Sequence, residues 1–158
     1  MPREVHVHVA HPRLKVDKKA VASVIHALDK NAEKFRGGCP AGELSIAFLT
    51  DKALARIHAD FLDDPATTDV ITFEGNSKLS SGGEICVSAD TAAAYASQHK
   101  HNFSEELTLY VVHGWLHLAG YDDLKPVKKR LMRAAEKRAM SVLTRAKVLP
   151  VFALRSSR

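Results

Sequence analysis

His113-Gly114-Trp115-Leu116-His117-Leu118-Ala119-Gly120-Tyr121-Asp122-Asp123 is the stretch on which the reading of this chain turns. Two histidines stand four residues apart in a run that otherwise reads as helix. At that spacing both imidazoles leave the same face of the helix, one turn apart. Gly120 suits the left-handed conformation that ends a helix and reverses the chain. The reversal can return Asp123 toward the two histidines. Three protein ligands with one open position is the arrangement of a catalytic zinc site. The spacing predicts a metal held by His113, His117 and Asp123; the competing reading is a pair of packed or solvated histidines.

Outward from this stretch the pattern is mixed. Val5, Val7 and Val9 alternate with Glu4, His6 and His8, as in a half-buried strand whose two histidines share the outer face. Pro12 breaks that strand. Asp17 is placed to cap a helix reaching about Phe35, with Val21, Val24, Ile25 and Leu28 on one face. Gly37, Gly38, Pro40 and Gly42 mark a loop. Leu44–Leu49 reads as a second strand, and Thr50 or Asp51 caps a helix to about Leu62.

Asp63, Asp64 and Pro65 form a turn, and Asp69–Phe73 is a β-branched third strand. The Gly- and Ser-rich residues 75–83 read as a loop, and Glu84–Val87 as a fourth strand. Ser88 caps an Ala-rich helix to about His99. Ser104 caps the next, which runs to Ala119 and carries both histidines. Pro126 opens the last helix, ending near Lys147. No repeat or domain boundary interrupts the chain, so residues 1–158 are read as one domain. The fold class is α+β: a small mixed four-stranded sheet, packed on one side by about five helices, with the metal site on a central helix and the loop after it.

Composition narrows the function. At 158 residues and 46% hydrophobic content the chain has enough material for one ordinary core. No apolar run approaches the length of a membrane span, and Met1-Pro2-Arg3-Glu4 leads straight into the first strand without a signal-like segment. Its two cysteines, Cys39 and Cys86, are far apart, which argues against a disulfide framework and for a reducing, cytoplasmic setting. Cys86 reads as a small buried hydrophobe.

Charge is segregated. From Leu124 onward there are eleven Lys and Arg against a single acid, Glu136, giving that segment +10 and the rest −5. A basic last helix beside an acidic, metal-bearing body points to a polyanion such as nucleic acid; a solvated helix face is the alternative.

The His113–Asp123 segment also resembles the signature of the YbeY family of metal-dependent endoribonucleases, usually H-G-x-L-H-L-x-G-Y-D-H. Thr68-Asp69-Val70-Ile71-Thr72-Phe73 resembles that family's T-D-V-L-S-F block, and Gly83-Glu84-Ile85-Cys86-Val87-Ser88 its G-D-I-x-I-S block. The likeness spans about residues 5–145. Two positions depart from the pattern. Asp123 stands where the family has its third histidine, and Leu62 where many members have an arginine. The chain is therefore read as one of the branch with Asp in the third place.

The resemblance implies an α+β fold and a zinc-dependent endoribonuclease acting on single-stranded RNA. It further implies maturation of the 3′ end of small-subunit ribosomal RNA, ribosome quality control, and partnership with the small ribosomal subunit. Asp69 is the first candidate for proton transfer and Asp122 the second; capping a turn and orienting a ligand histidine are their respective alternatives. His58 falls where the family often has asparagine, though an exposed helix histidine is the plainer reading. Trp115 is read as core, and Tyr121 either as core or as a platform for an unpaired base.

Zinc proteases of the H-E-x-x-H type place a glutamate directly after the first histidine. Gly114 supplies no side chain there, which disfavours a peptidase. A metallohydrolase of another class and a non-catalytic ribosome-associated metal-binding factor remain the alternatives.

Overall fold

A computed structural model describes residues 2–62 and 69–156. The proposed 63–65 turn, Thr68 and the Leu62 side chain lie outside the described residues. In chain order the elements are β1 (Val5–Val9), β2 (Leu14–Lys15), α1 (Lys18–Lys30), β3 (Glu43–Leu49), α2 (Asp51–Leu62), β4 (Val70–Glu74), β5 (Ser81–Ser88), α3 (Ala89–His99), α4 (Phe103–Leu118), α5 (Pro126–Ala146) and β6 (Ala153–Leu154).

The main sheet runs β1-β3-β5-β4. The first three strands are parallel and β4 lies antiparallel to β5. Strands β2 and β6 form a small antiparallel pair, bringing the C-terminal segment back against the start of the chain. The architecture is the mixed four-stranded sheet with five helices that the sequence predicts.

The core follows from strand alternation. Leu44, Ile46 and Phe48 of β3 and Ile85 and Val87 of β5 face one side, where they meet Val21, Val24, Ile25 and Leu28 of α1 and Leu107, Val111, Trp115 and Leu116 of α4. The helices do not all lie there. Leu49, Ile71 and Cys86 point to the opposite face and pack with Leu54, Ala53 and Ile57 of α2. The expectation of helices on one side is thus corrected: β5 is the third strand of four and apolar on both faces, and α2 covers the second. Residues of the type seen in Ser81–Ser88, buried at six of eight positions, are what a strand covered on both sides requires.

Helix ends mostly follow their caps. Asp17 accepts the Lys19 N–H, Thr50 Oγ1 the Ala53 N–H, and Ser88 Oγ the Thr91 N–H. Helix α1 stops at Lys30, short of the expected Phe35, and a 3-10 turn follows over Ala32–Lys34. Helix α4 begins two residues earlier than expected at its cap: Asn102, not Ser104, accepts the Glu105 N–H. Ser104 Oγ instead accepts the Phe152 N–H and donates to the Phe152 carbonyl, tying α4 to the C-terminal segment. Strand β5 begins at Ser81, inside the residues expected to be loop, because the parallel pairing with β3 reaches Glu43–Ser81, past the Gly83 where the β4 pairing ends.

Candidate metal centre and its cleft

Helix α4 carries the two histidines and is seated on β5 through a missing side chain. A Cβ at Gly114 would stand 2.5 Å from Ile85 Cγ2 and 3.2 Å from its Cγ1. The position directly after His113 therefore points into the sheet, away from the histidine face. Trp115 is fully buried, its ring edge-on to Phe35 at 5.5 Å and its indole N–H 3.2 Å from Asp29 Oδ1. The core reading of Trp115 holds.

His113 is half-buried and its Nδ1 lies 2.6 Å from Glu136 Oε2. Burial alone would raise the Glu136 carboxyl. The bonds from His113 and Arg133, with their charges, outweigh it and hold the group below the usual carboxylate range. An ionised carboxylate only accepts, so the bond places a proton on His113 Nδ1 and leaves Nε2 as the ring nitrogen not engaged by Glu136. Arg133 Nη1 donates to both Glu136 oxygens, at 2.7 and 2.8 Å, and fixes the carboxylate in turn. Metal-binding histidines typically have a carboxylate partner of this kind.

Helix α4 ends at Leu118, and Gly120 turns the chain with φ +109° and open space around its Cα. Its carbonyl accepts from Arg36 Nη1 at 3.0 Å. Tyr121 is buried, with the Arg36 guanidinium 4.2 Å from its ring centre and its hydroxyl accepting from Arg138. Its ring is a packing element, so of the two readings of Tyr121 the structure carries the core one.

His117 and Asp123 are exposed. Asp122 Oδ1 accepts the Leu124 N–H at 3.2 Å and Oδ2 lies 3.4 Å from Lys128 Nζ. The Leu124 bond, followed by Lys128 and the nearby His117, holds its carboxyl below the ordinary value. Asp69 is exposed at the start of β4, where its carbonyl accepts the Ser88 N–H. It lines a cleft of about 770 Å³ together with Arg133 and Glu136 of α5 and Glu106 and Tyr110 of α4. Asp69 and the Glu136 that holds His113 thus open onto one cleft.

The donor atoms of His113, His117 and Asp123 do not all fall within 4.8 Å of one another; among the described residues the compact group of that size is Glu4, His6 and Glu43. The donor chemistry at the end of α4 nevertheless suits a divalent ion. Two imidazoles share one helix face, one of them has its tautomer set by Glu136, and a carboxylate follows a chain reversal. Imidazole and carboxylate donors serve zinc and several other divalent metals.

The family model described as endoribonuclease YbeY matches residues 6–144. The chain belongs to the YbeY family. Among its relatives, an endoribonuclease YbeY of Chloroflexus aggregans is 36% identical over 82% of this chain and 90% of its own length. One of Parabacteroides distasonis is 31% identical over 81% and 87%. One of Protochlamydia amoebophila is 41% identical over 64% and 70%. A Thermotoga maritima protein whose solution structure is known shares the fold, with a TM-score of 0.61 and 21% identity over 90% of this chain and 91% of that one. The match to the YbeY model contains all three sequence blocks that resemble the family, including the His113–Asp123 segment.

Glu136 and Arg133 were not among the residues singled out from sequence. A signal for Glu136 was present. It sits on the stripe Met132, Ala135, Glu136, Ala139, Leu143, the buried positions of α5, and is the one acid in a basic segment. A carboxylate at a core-periodic position needs a partner, and His113 and Arg133 are those partners.

Among the described residues no helix is long and apolar enough to cross a membrane.

Proposed function

We propose that this protein is a metal-dependent endoribonuclease that cleaves single-stranded RNA in ribosomal RNA processing, at the 3′ end of the small-subunit RNA, and in ribosome quality control. The observation that carries the reading is the His113–Glu136–Arg133 chain in a YbeY family member, with Glu136 and Arg133 lining a cleft. A buried carboxylate spent on orienting one imidazole has a clear purpose if that imidazole is a ligand. His113, through Nε2, with His117 and Asp123, would hold one zinc ion per chain. Such an ion supplies Lewis acidity toward a phosphoryl oxygen and makes water a better nucleophile near neutral pH.

The chain's own residues do the rest. Glu136 sets the His113 tautomer, and Arg133 keeps Glu136 ionised. Asp69, exposed on the cleft wall, is the group best placed to take a proton from the attacking hydroxyl. Asp122 is held ionised by the Leu124 N–H and Lys128, and its role is to shape the turn that presents Asp123, with proton transfer second. The exposed cations of α5, among them Lys128, Lys129, Arg130 and Lys137, offer a track for the RNA backbone. A cytoplasmic site of action and contact with the small ribosomal subunit belong to the same proposal. Gly114, turned into the sheet, leaves no position for a protease-type glutamate.

The test compares wild type with His117→Ala and Asp123→Ala for metal content and for cleavage of single-stranded RNA. The expected result is about one zinc per wild-type chain, with metal and cleavage lost together in both variants. Metal-loaded wild type that leaves RNA intact would overturn the nuclease reading.

A further inference from the structure

Glu106 has no part in the metal chemistry above, yet it is only 7% exposed and lines the same cleft. No hydrogen bond from any described residue reaches its carboxyl. Burial pushes the group above the ordinary carboxylate range; His101 and His99 oppose the shift, and Asp69 and Glu136 add to it. No buried side-chain oxygen among the described residues lacks a partner, so the Glu106 carboxyl reaches the cleft and is free there to accept from a ligand's N–H groups. It stands seven residues before His113, on the same side of α4 and two turns away, and meets the cleft wall that Glu136, the partner of His113, also lines.

The walls around it are of a particular kind. Tyr95, 41% exposed, contributes an aromatic face to the cleft. Its ring is backed by His99, stacked at 3.9 Å, with the cleft-lining His101 ring at 5.8 Å. Lys137 and Arg133 enter from α5, and Arg133 is already committed to Glu136. An acceptor-rich floor asks for a ligand edge bearing N–H donors, an aromatic wall asks for a flat ring, and a cation at the mouth asks for a phosphate. The cleft volume of about 770 Å³ is in the range that takes a small-molecule ligand.

We propose that this part of the cleft is a nucleobase subsite for the RNA strand, in which one base lies against Tyr95 and His101, its N–H edge hydrogen-bonds to Glu106, and its phosphate meets Lys137. The proposal rests on the nuclease reading for the identity of the strand. It adds a point at which the strand is gripped by a base two helical turns from the metal ligands.

The test measures equilibrium binding of a short fluorescent single-stranded RNA by anisotropy, with RNA integrity checked on a gel and cleavage assayed in parallel. A second RNA carries an abasic ribose at successive positions. Wild type should bind the intact RNA more tightly than the best-placed abasic one. Glu106→Gln and Tyr95→Ala should each weaken binding of the intact RNA about tenfold. They should leave binding of that abasic RNA unchanged.

Variants that bind the intact RNA like wild type, or lose equally for both RNAs, would overturn the subsite, as would indifference of wild type to every abasic position. Tyr95→Ala removes an exposed ring, so it reports even if Glu106→Gln fails to fold. Wild type that binds as described but does not cleave overturns the nuclease reading and leaves the subsite standing. Wild type that cleaves, with both variants binding unimpaired, does the reverse.

Discussion

Gly114→Ala sets two effects against each other. In an exposed helix the change would stabilise by about 1 kcal/mol, since alanine is the best helix former and glycine among the poorest. Here the added Cβ would sit 2.5 Å from Ile85 Cγ2, with Cγ1 at 3.2 Å and Cδ1 at 3.3 Å. Ordinary carbon contacts lie near 3.5–4.0 Å, so an opening of about 1 Å is required. Ile85 is fully buried on β5, hydrogen-bonded into a strand with partners on both sides, and cannot retreat. Helix α4 must therefore lift from the sheet. Overpacking of this kind costs about 1–3 kcal/mol, and lifting a helix off its sheet belongs at the upper end.

The net expectation is a loss of about 1–2 kcal/mol, which for a domain of this size lowers Tm by about 2–8 °C. Thermal denaturation followed by circular dichroism measures it. A double-mutant cycle sharpens the attribution. Ile85→Ala removes the obstructing atoms, so the pair should cost at least about 1 kcal/mol less than the two changes added together. Ile85→Val keeps both nearest atoms and should give no such relief. An unchanged or raised Tm for Gly114→Ala, or strict additivity with Ile85→Ala, would refute the argument that the glycine exists to seat the helix.

Glu136→Gln keeps the side-chain shape but removes the charge that orients His113; metal affinity should fall about 10- to 100-fold in a competitive chelator titration, and equal affinity would count against Glu136 as the outer-sphere partner. Asp90 accepts from buried His11 at 2.7 Å and from the Asp51 N–H at 3.0 Å. Burial would raise it, but the His11 bond, the Asp51 N–H and the charges of His11 and Arg13 win and lower it. A lowered carboxyl contributes stability above its unfolded value, near pH 4, and loses it as pH falls through the folded value. Asp90→Asn should thus lower Tm at pH 7, with the gap to wild type narrowing as the pH falls below about 4, and a gap that stays constant through the acid range would contradict the assignment.

Much of the fold is legible because local signals agree with it. The alternation of Val5, Val7 and Val9 and the stripe Val21, Val24, Ile25 and Leu28 appear as a half-buried strand and a buried helix face. What escapes sequence reading is non-local. That α2 covers the far face of the sheet depends on Cys86 and Ile71 pointing there, and the crossover that carries them is invisible in a periodicity. Asn102 takes the cap from Ser104 because Ser104 is bonded to Phe152, 48 residues on. At the site, His113 and His117 share a face by spacing alone. Glu136 reaches His113 from 23 residues away, and only the packing of α5 on α4 brings them together.

The links converging on the end of α4 also bear on the order in which the protein can be made. His113 finds its carboxylate, and Tyr121 its hydroxyl partner, only in α5, while Arg36 holds the Gly120 turn from the first third of the chain. A nascent chain that has emerged as far as residue 124 contains both histidines and Asp123, yet neither Glu136 nor Arg138. During synthesis the histidine helix exists before the groups that aim it. Until α5 has docked, His113 on such a chain lacks the carboxylate that orients it, so the geometry of the histidine face is set only after synthesis has reached the last helix.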